Sequence, residues 1–408
     1  MLVYGLGRVG GWALTQYHLQ QAAGMLRDRE FTAALGPLGR ARWSAASDPD
    51  VWLLSARTAR RAGQLDHAAE WLQTAEARGA RPRAVQIERL LLRVQQGRWS
   101  EEAEEALHAL LRTTRTDYSV VAEVLTGEYM RLYRFPDARK VLDRWVELFP
   151  ADVEAWLRRG WVGEHQLAFD AAVADYRQAL ALDPIRDPVR VRLAELLLKL
   201  RRPAEAVTEL DAIRDPAAHG ATVPLLRARC FRELGQPDRA AEALDTLAGD
   251  DNQLPRAVAE RGQIAMARGA FAAAEPLLRQ ALTGLPRDRE LIYVLQQSLS
   301  RQGKTRDAET VARTLAEVDA DGRRIRDLLA RIDREPADAG LRYEVAGVFL
   351  RNGVPDDAVR WLRLTLELDP AHRAAHERLA ECYERQGQAE RAATHRAAAR
   401  RLAESPAR

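Results

Sequence analysis

Lysine is almost missing from this 408-residue chain: only Lys140, Lys199 and Lys304 occur, so arginine supplies nearly all of its positive charge. Codon composition explains that skew more simply than function, and no role is assigned to it. Cysteine is as scarce. Cys230 and Cys382 are too few and too far apart for a disulfide framework, and each stands one residue before an aromatic, Phe231 or Tyr383, as small buried filler. A dominant charge is lacking too, because 62 basic residues face 59 acidic ones; a surplus of three over so long a chain excludes the electrostatic footprint of a nucleic-acid binder. No long apolar run exists. The opening MLVYGLGRVGGWAL is broken by Arg8 and followed by Thr15, Gln16, His18, Gln20 and Gln21, short of the ~20 apolar residues a spanning helix needs, and it has no secretory h-region. The membrane reading left open is that residues 1–14 end a longer anchor that begins upstream. What remains, 47% hydrophobic and 30% charged, is the composition of a folded chain.

Motifs that carry chemistry are absent or incomplete. Gly5, Gly7 and Gly10 match the dinucleotide fingerprint only formally, since that site needs a full strand before it, a βαβ unit around it and an acidic residue about 20 positions on. Only Leu2, Val3 and Tyr4 precede the glycines, and a helical pattern follows, so no NAD is expected. His372 and His376 stand four apart without a third ligand on their face, because Glu377 points elsewhere; they read as solvated histidines, and no metal is expected. There is no nucleophile elbow, no phosphate loop and no Cys/His pair with an orienting group. The acidic residues fall on outward helical faces. Neither an enzyme nor a cofactor is read from this sequence.

What is present is a repeat. Residues 155–184, AWLRRGWVGEHQLAFDAAVADYRQALALDP, describe two short helices and a turn: Trp156 and Gly160 share one face, Ala172, Tyr176 and Ala179 follow at helical spacing, and Pro184 stops the second helix. A pair this short cannot bury its stripe alone, so copies should flank it. Taking Ala172 as the mark, copies stand at Ala34, Ala68, Ala103, Ala138, Ala206, Ala240, Ala274, Ala308, Ala358 and Ala392, in steps of 34 or 35 except for one of 50. This pattern resembles the tetratricopeptide repeat family over residues 15–406, most closely at Trp156, Gly160, Ala172, Tyr176, Ala179 and Pro184 and again at Gly262, Phe271, Ala274, Leu278, Ala281 and Pro286. Pro224 and Arg342 depart from it where a large apolar residue is usual. The resemblance implies an all-α, right-handed α-solenoid of about eleven helix-turn-helix repeats in one elongated array.

Punctuation supports the register. Pro136, Pro203, Pro237 and Pro355 open second helices, where first-turn N–H groups are unpaired in any case, and Gly63, Gly97, Gly235, Gly269, Gly303, Gly353 and Gly387 supply left-handed turns before them. Pro276 falls inside its second helix, which either starts late or kinks. The 50-residue step holds 16 extra residues in which Ile325, Leu328, Leu329 and Ile332 keep a helical stripe between Gly322 and Pro336, an added helix serving as a strut or a joint. The expected organisation is a segment at 1–14, nine repeats over 15–320, an inserted helix at 321–338, and two further repeats with a polar cap over 339–406.

The resemblance also implies that ligands are held by the first helices, beside the packing stripe. Carried over residue by residue, that stripe runs through Asp50, Leu53, Arg57 and Arg60; Glu154, Leu157, Trp161 and Glu164; Thr222, Leu225, Arg229 and Arg232; and Tyr293 and Tyr343. Arginines beside aromatics anchor interfaces, so the candidate groove residues are Arg57, Arg60, Trp161, Arg229, Arg232, Tyr293 and Tyr343; the competing reading packs Trp161 and the tyrosines between repeats. As exposed side chains, Arg229 and Arg232 are expected to add little to folding. The lysines and asparagines with which the family clamps a C-terminal carboxylate are missing. The stripe is mixed in sign, with Arg57, Arg60 and Arg61 toward one end and Glu377, Glu381 and Glu384 toward the other. The expectation is a cytoplasmic scaffold for a protein or peptide, with two alternatives: a membrane-tethered factor of an envelope or secretion assembly, or a regulatory subunit of a separately encoded enzyme.

Overall fold

The structure is a computed structural model that describes residues 2–113, 115–247 and 249–404, apart from the side chains of 2–12 and 252. It divides into two compact units, Met1–Arg131 and Leu132–Arg408. No strand occurs among the described residues.

The first unit contains α1 (Leu2–Arg27), α2 (Phe31–Ser44), α3 (Pro49–Arg61), α4 (Leu65–Ala77), α5 (Pro82–Gln95), α6 (Glu101–Thr113) and α7 (Tyr118–Arg131). The second contains α8 (Phe135–Leu148), α9 (Val153–His165), α10 (Phe169–Leu182), α11 (Asp187–Lys199), α12 (Pro203–Asp211), α13 (Thr222–Glu233) and α14 (Pro237–Asp245). It continues through α15 (Pro255–Ala267), α16 (Phe271–Gly284), α17 (Arg289–Arg301), α18 (Thr305–Ile332), α19 (Ala339–Arg351), α20 (Pro355–Leu368), α21 (Arg373–Arg385) and α22 (Ala389–Glu404). Within the units, consecutive helices pack as pairs, α1/α2 and α3/α4 in the first and α9/α10 through α21/α22 in the second, the helix-turn-helix repeats of an α-solenoid.

The small residue that marks each repeat sits where two helices cross. Every marker alanine is buried except Ala103, which is half-buried. At the α9/α10 crossing a Cβ added to Gly160 would lie 2.8 Å from Cε1 of Tyr176, so only glycine admits that ring. The Tyr176 hydroxyl donates to Glu164 at 2.6 Å, and Arg192 Nε reaches the same carboxylate at 2.8 Å. All seven expected turn glycines have φ between +70° and +82°. Arg29, Tyr133, Leu167 and Arg201 hold the same turn position at φ near +60° without being glycine, a conformation that costs ~1–2 kcal/mol in each case and that packing must offset.

Tyr133 shows how. Its ring lies 4.0 Å from that of buried Trp361 in α20, its hydroxyl accepts from Arg360 at 3.2 Å, and Arg342 Nη2 donates to the carbonyl of Leu132 at 3.5 Å. These contacts tie the start of the second unit to α19 and α20. They also give buried Arg342, 1% exposed, a carbonyl partner at the position where the repeat usually carries an apolar residue.

Two expectations change, the segment at 1–14 and the inserted helix at 321–338. Residues 1–14 are no separate segment, since α1 runs unbroken from Leu2, with Gly5, Gly7 and Gly10 inside a helix and no strand before them. Residues 321–332 extend α18, a single helix of 28 residues, because one interior glycine costs only ~1 kcal/mol while Leu328 and Ile332 are buried at the far end. Pro276 does not delay α16, which starts at Phe271. The second helices α12 and α14 stop after 9 residues and give way to 3₁₀ turns at Pro216–His219 and Gly249–Gln253. Among the described residues, no helix is long and apolar enough to cross a membrane.

Both cysteines are buried, and burial pushes the Cys230 thiol up to about 12. Iodoacetamide at mildly alkaline pH should therefore leave Cys230 unmodified in the folded chain and alkylate it fully in urea, as read by peptide mass. Rapid native labelling would place that thiol outside the core.

Candidate protein-binding groove

In the second unit, first helices touch in succession, α11 with α13, α13 with α15 and α15 with α17, while the second helices are held further apart. The first-helix face is thus the inner side of the curve here. Between these four helices it opens into a cleft of about 580 Å³. Leu225, Leu226, Ala259 and Leu291 give it an apolar wall, to which Leu254, 39% exposed, adds an unburied side chain. The helical period produces this wall: Thr222, Leu225 and Arg229 recur at spacings of three and four along α13, and all three line the cleft.

Charge is distributed unevenly around it. Four lining carboxylates, Glu195, Glu260, Asp288 and Glu290, face two lining guanidinium groups, Arg229 and Arg256. Arg229 donates to Glu233 at 3.3 Å and to Glu290 at 3.4 Å, while Arg232 donates to Glu260 at 3.0 Å. Burial raises the Glu260 pKa, with the Glu290 charge adding to the effect, despite the opposing pull of Arg232 and Arg229. Asp288 caps α17 by accepting from the Leu291 N–H at 3.0 Å. Gln263 is 6% exposed and lines the cleft.

The seven candidate residues are dispersed. Arg229 lines the cleft, and Arg232 pairs with Glu260 in its wall. Neither is the loosely exposed side chain expected, since without both arginines the poorly exposed Glu233 and Glu260 would lose their main partners. Tyr293 in α17 is 43% exposed. Trp161 is half-buried, its ring tilted against His165 at 3.7 Å and against Phe135 of α8 at 5.9 Å. Tyr343 stacks 4.7 Å from His372 and lines a smaller hollow with Arg324, Arg351 and Arg378.

In the first unit, Arg57 and Arg60 share the carboxylate of Glu88, each at 2.9 Å, and Arg60 also donates to Gln95 at 2.8 Å. Arg60 and Glu88 are 2% and 3% exposed, so Arg60 is a buried structural ion and not a groove side chain. Arg61 and Arg29 share Glu123. The histidines expected to be solvated are engaged too: His372 caps α21 by accepting from the Ala375 N–H at 3.2 Å, and His376 meets His395 at 2.9 Å between their Nδ1 atoms.

The sequence reading passed over Glu260, Gln263 and Glu290. A signal for one of them existed. Arg60 pairs with Glu88, Glu164 with Arg192 and Arg232 with Glu260, each pair 28 residues apart, the offset at which one first helix meets the next. Opposite charges recurring at that offset identify inter-repeat ion pairs.

Stacked helix pairs with an inner groove define a protein-interaction scaffold built from helical repeats. Family models described as tetratricopeptide repeat match residues 128–187, 166–223, 225–289, 265–332 and 343–406, more than half of the chain, which belongs to that family. Among solved structures, a tetratricopeptide repeat protein from Parabacteroides merdae is 14% identical, with 68% of this chain and 99% of that one covered and a TM-score of 0.41. PilW, described as a widely conserved type IV pilus biogenesis factor, is 20% identical over 51% of this chain and 92% of its own, with a TM-score of 0.40. Yeast Tom70 is 15% identical over 97% of this chain and 92% of its own, with a TM-score of 0.36. Likeness at this level bears on neither partner nor process. No curated protein matches the chain.

Proposed function

We propose that the chain holds a segment of a partner protein in the first-helix groove of its second unit, between Thr222 and Tyr293. The observation that carries this reading is the cleft itself, an apolar wall of leucines with a charged surround and a volume within the ~300–1,000 Å³ usual for ligand clefts. Arginine and tyrosine are the residue types that concentrate interface energy, and here Arg229 lines the wall while Tyr293 is exposed on α17, two residues past Leu291 of the wall. Arg60 is sealed against Glu88 and Arg57 also pairs with it, while Trp161 and Tyr343, half-buried beside neighbouring rings, lie outside the lining of this cleft.

The test is a photo-crosslinker introduced at Thr222 or at Tyr293, with a second-helix position, Asp238, 87% exposed, as comparison. Cells that normally make the protein should yield one discrete adduct from the two groove positions and none from Asp238. Equal adducts from all three, or adducts from Asp238 alone, would remove the groove from consideration.

A further inference from the structure

Resting on that reading, we infer that the cleft's occupant is an extended peptide segment carrying a lysine or arginine next to a branched aliphatic side chain. Three independent features converge on this chemistry.

The first is charge. Four carboxylates line the cleft against two guanidinium groups, and one of those two, Arg229, is already divided between Glu233 and Glu290. Arg232 in the wall also pairs with Glu260 and reaches Glu290 at 3.9 Å, so three guanidinium groups stand against the four lining carboxylates and Glu233, an excess of negative charge that favours a cation over an acidic segment.

The second is Gln263. The residue is 6% exposed and lines the cleft. Its carbonyl oxygen and NH₂ group complement the N–H and C=O of a peptide unit, so a backbone drawn along the cleft can pair with it. The third is the wall of Leu225, Leu226, Ala259 and Leu291, which accepts an aliphatic side chain beside the cation.

The experiment pans a phage-displayed library of random dodecapeptides against the full chain, then measures the enriched peptides by fluorescence polarisation on three proteins. These are the unaltered chain, a Glu260→Gln/Glu290→Gln chain and a Leu225→Arg chain, each first shown to keep its helical content and thermal midpoint. Both substitutions of the first variant keep shape and Glu290 is half exposed, while the check of helical content and thermal midpoint separates charge from the loss of the Glu260–Arg232 pair. Enriched peptides should pair Lys or Arg with Leu, Ile or Val, weaken about tenfold on the Gln variant and lose binding on the Leu225→Arg variant. Binding should also weaken as salt is raised. Peptides that are acidic or uncharged, keep their affinity on the Gln variant and lose it on Leu225→Arg would overturn the cationic occupant while leaving the groove reading intact. Binding that survives on both variants, or a library that yields no binder, would overturn both.

Discussion

Replacing Ala172 by Trp should destabilise the second unit by about 3 kcal/mol, because Ala172 is fully buried where α10 crosses α9 and the ring would have nowhere to go. Its Cβ lies only 3.4 Å from where a Cβ on Gly163 would stand, so neither helix can yield without separating the pair. Stability in a repeat array is roughly a sum of neighbour terms, and the damage should stay local. Hydrogen exchange followed by mass spectrometry should show protection lost over α9 to α11 and kept over α21 and α22. Protection lost evenly through the second unit would instead show that the Tyr133–Trp361 and Arg342–Leu132 contacts make it a single cooperative body.

The second large effect is expected at Arg60. Arg60→Met removes the principal partner of Glu88 from a site where both are almost completely buried, leaving Arg57 as the carboxylate's remaining cation and Gln95 without its donor. Breaking such a pair costs roughly 3–5 kcal/mol, most of it the penalty of an uncompensated buried charge. Urea unfolding of Arg60→Met should register that loss, and the double variant Arg60→Met/Glu88→Leu should recover much of it, since replacing both ions with apolar groups is far milder than removing one. If Arg60→Met unfolds like the unaltered chain, Arg60 is not structural and returns to the groove as a binding residue.

Much of the fold was legible because its determinants are local. The alanine marks at steps of 34 or 35, the prolines at the first turns of second helices and the glycines with left-handed φ each act within a few residues of where they stand, so a linear pattern displays them. The turn at Tyr133 was not legible, because nothing nearby asks for a left-handed tyrosine; the cause is Trp361, 228 residues away. Likewise, Gly322 reads as a stop, yet burial of Leu328 and Ile332 carries α18 through it.

The candidate groove divides along the same line. Helical spacing placed Thr222, Leu225 and Arg229 on one face, and the structure brings those three together at the cleft. Spacing treated Arg57 and Arg60 as equivalent to Arg229 and Arg232, although Arg60 is sealed against Glu88 while Arg229 borders open space. Position along a helix decides which way a side chain points. What it meets there is decided by the next repeat.

By itself, then, the sequence determined the helix pairs, their register and the family to which they belong, because short-range turn chemistry and the burial of one apolar stripe suffice for these. Only the tertiary structure decided which charges are spent on stacking, which are left facing the cleft between α11 and α17, and that Gln263 lines it. Those outcomes depend on distances between helices a repeat or more apart, where the electrostatics of one side chain is set by residues 28 or more positions away and by how far each is removed from water.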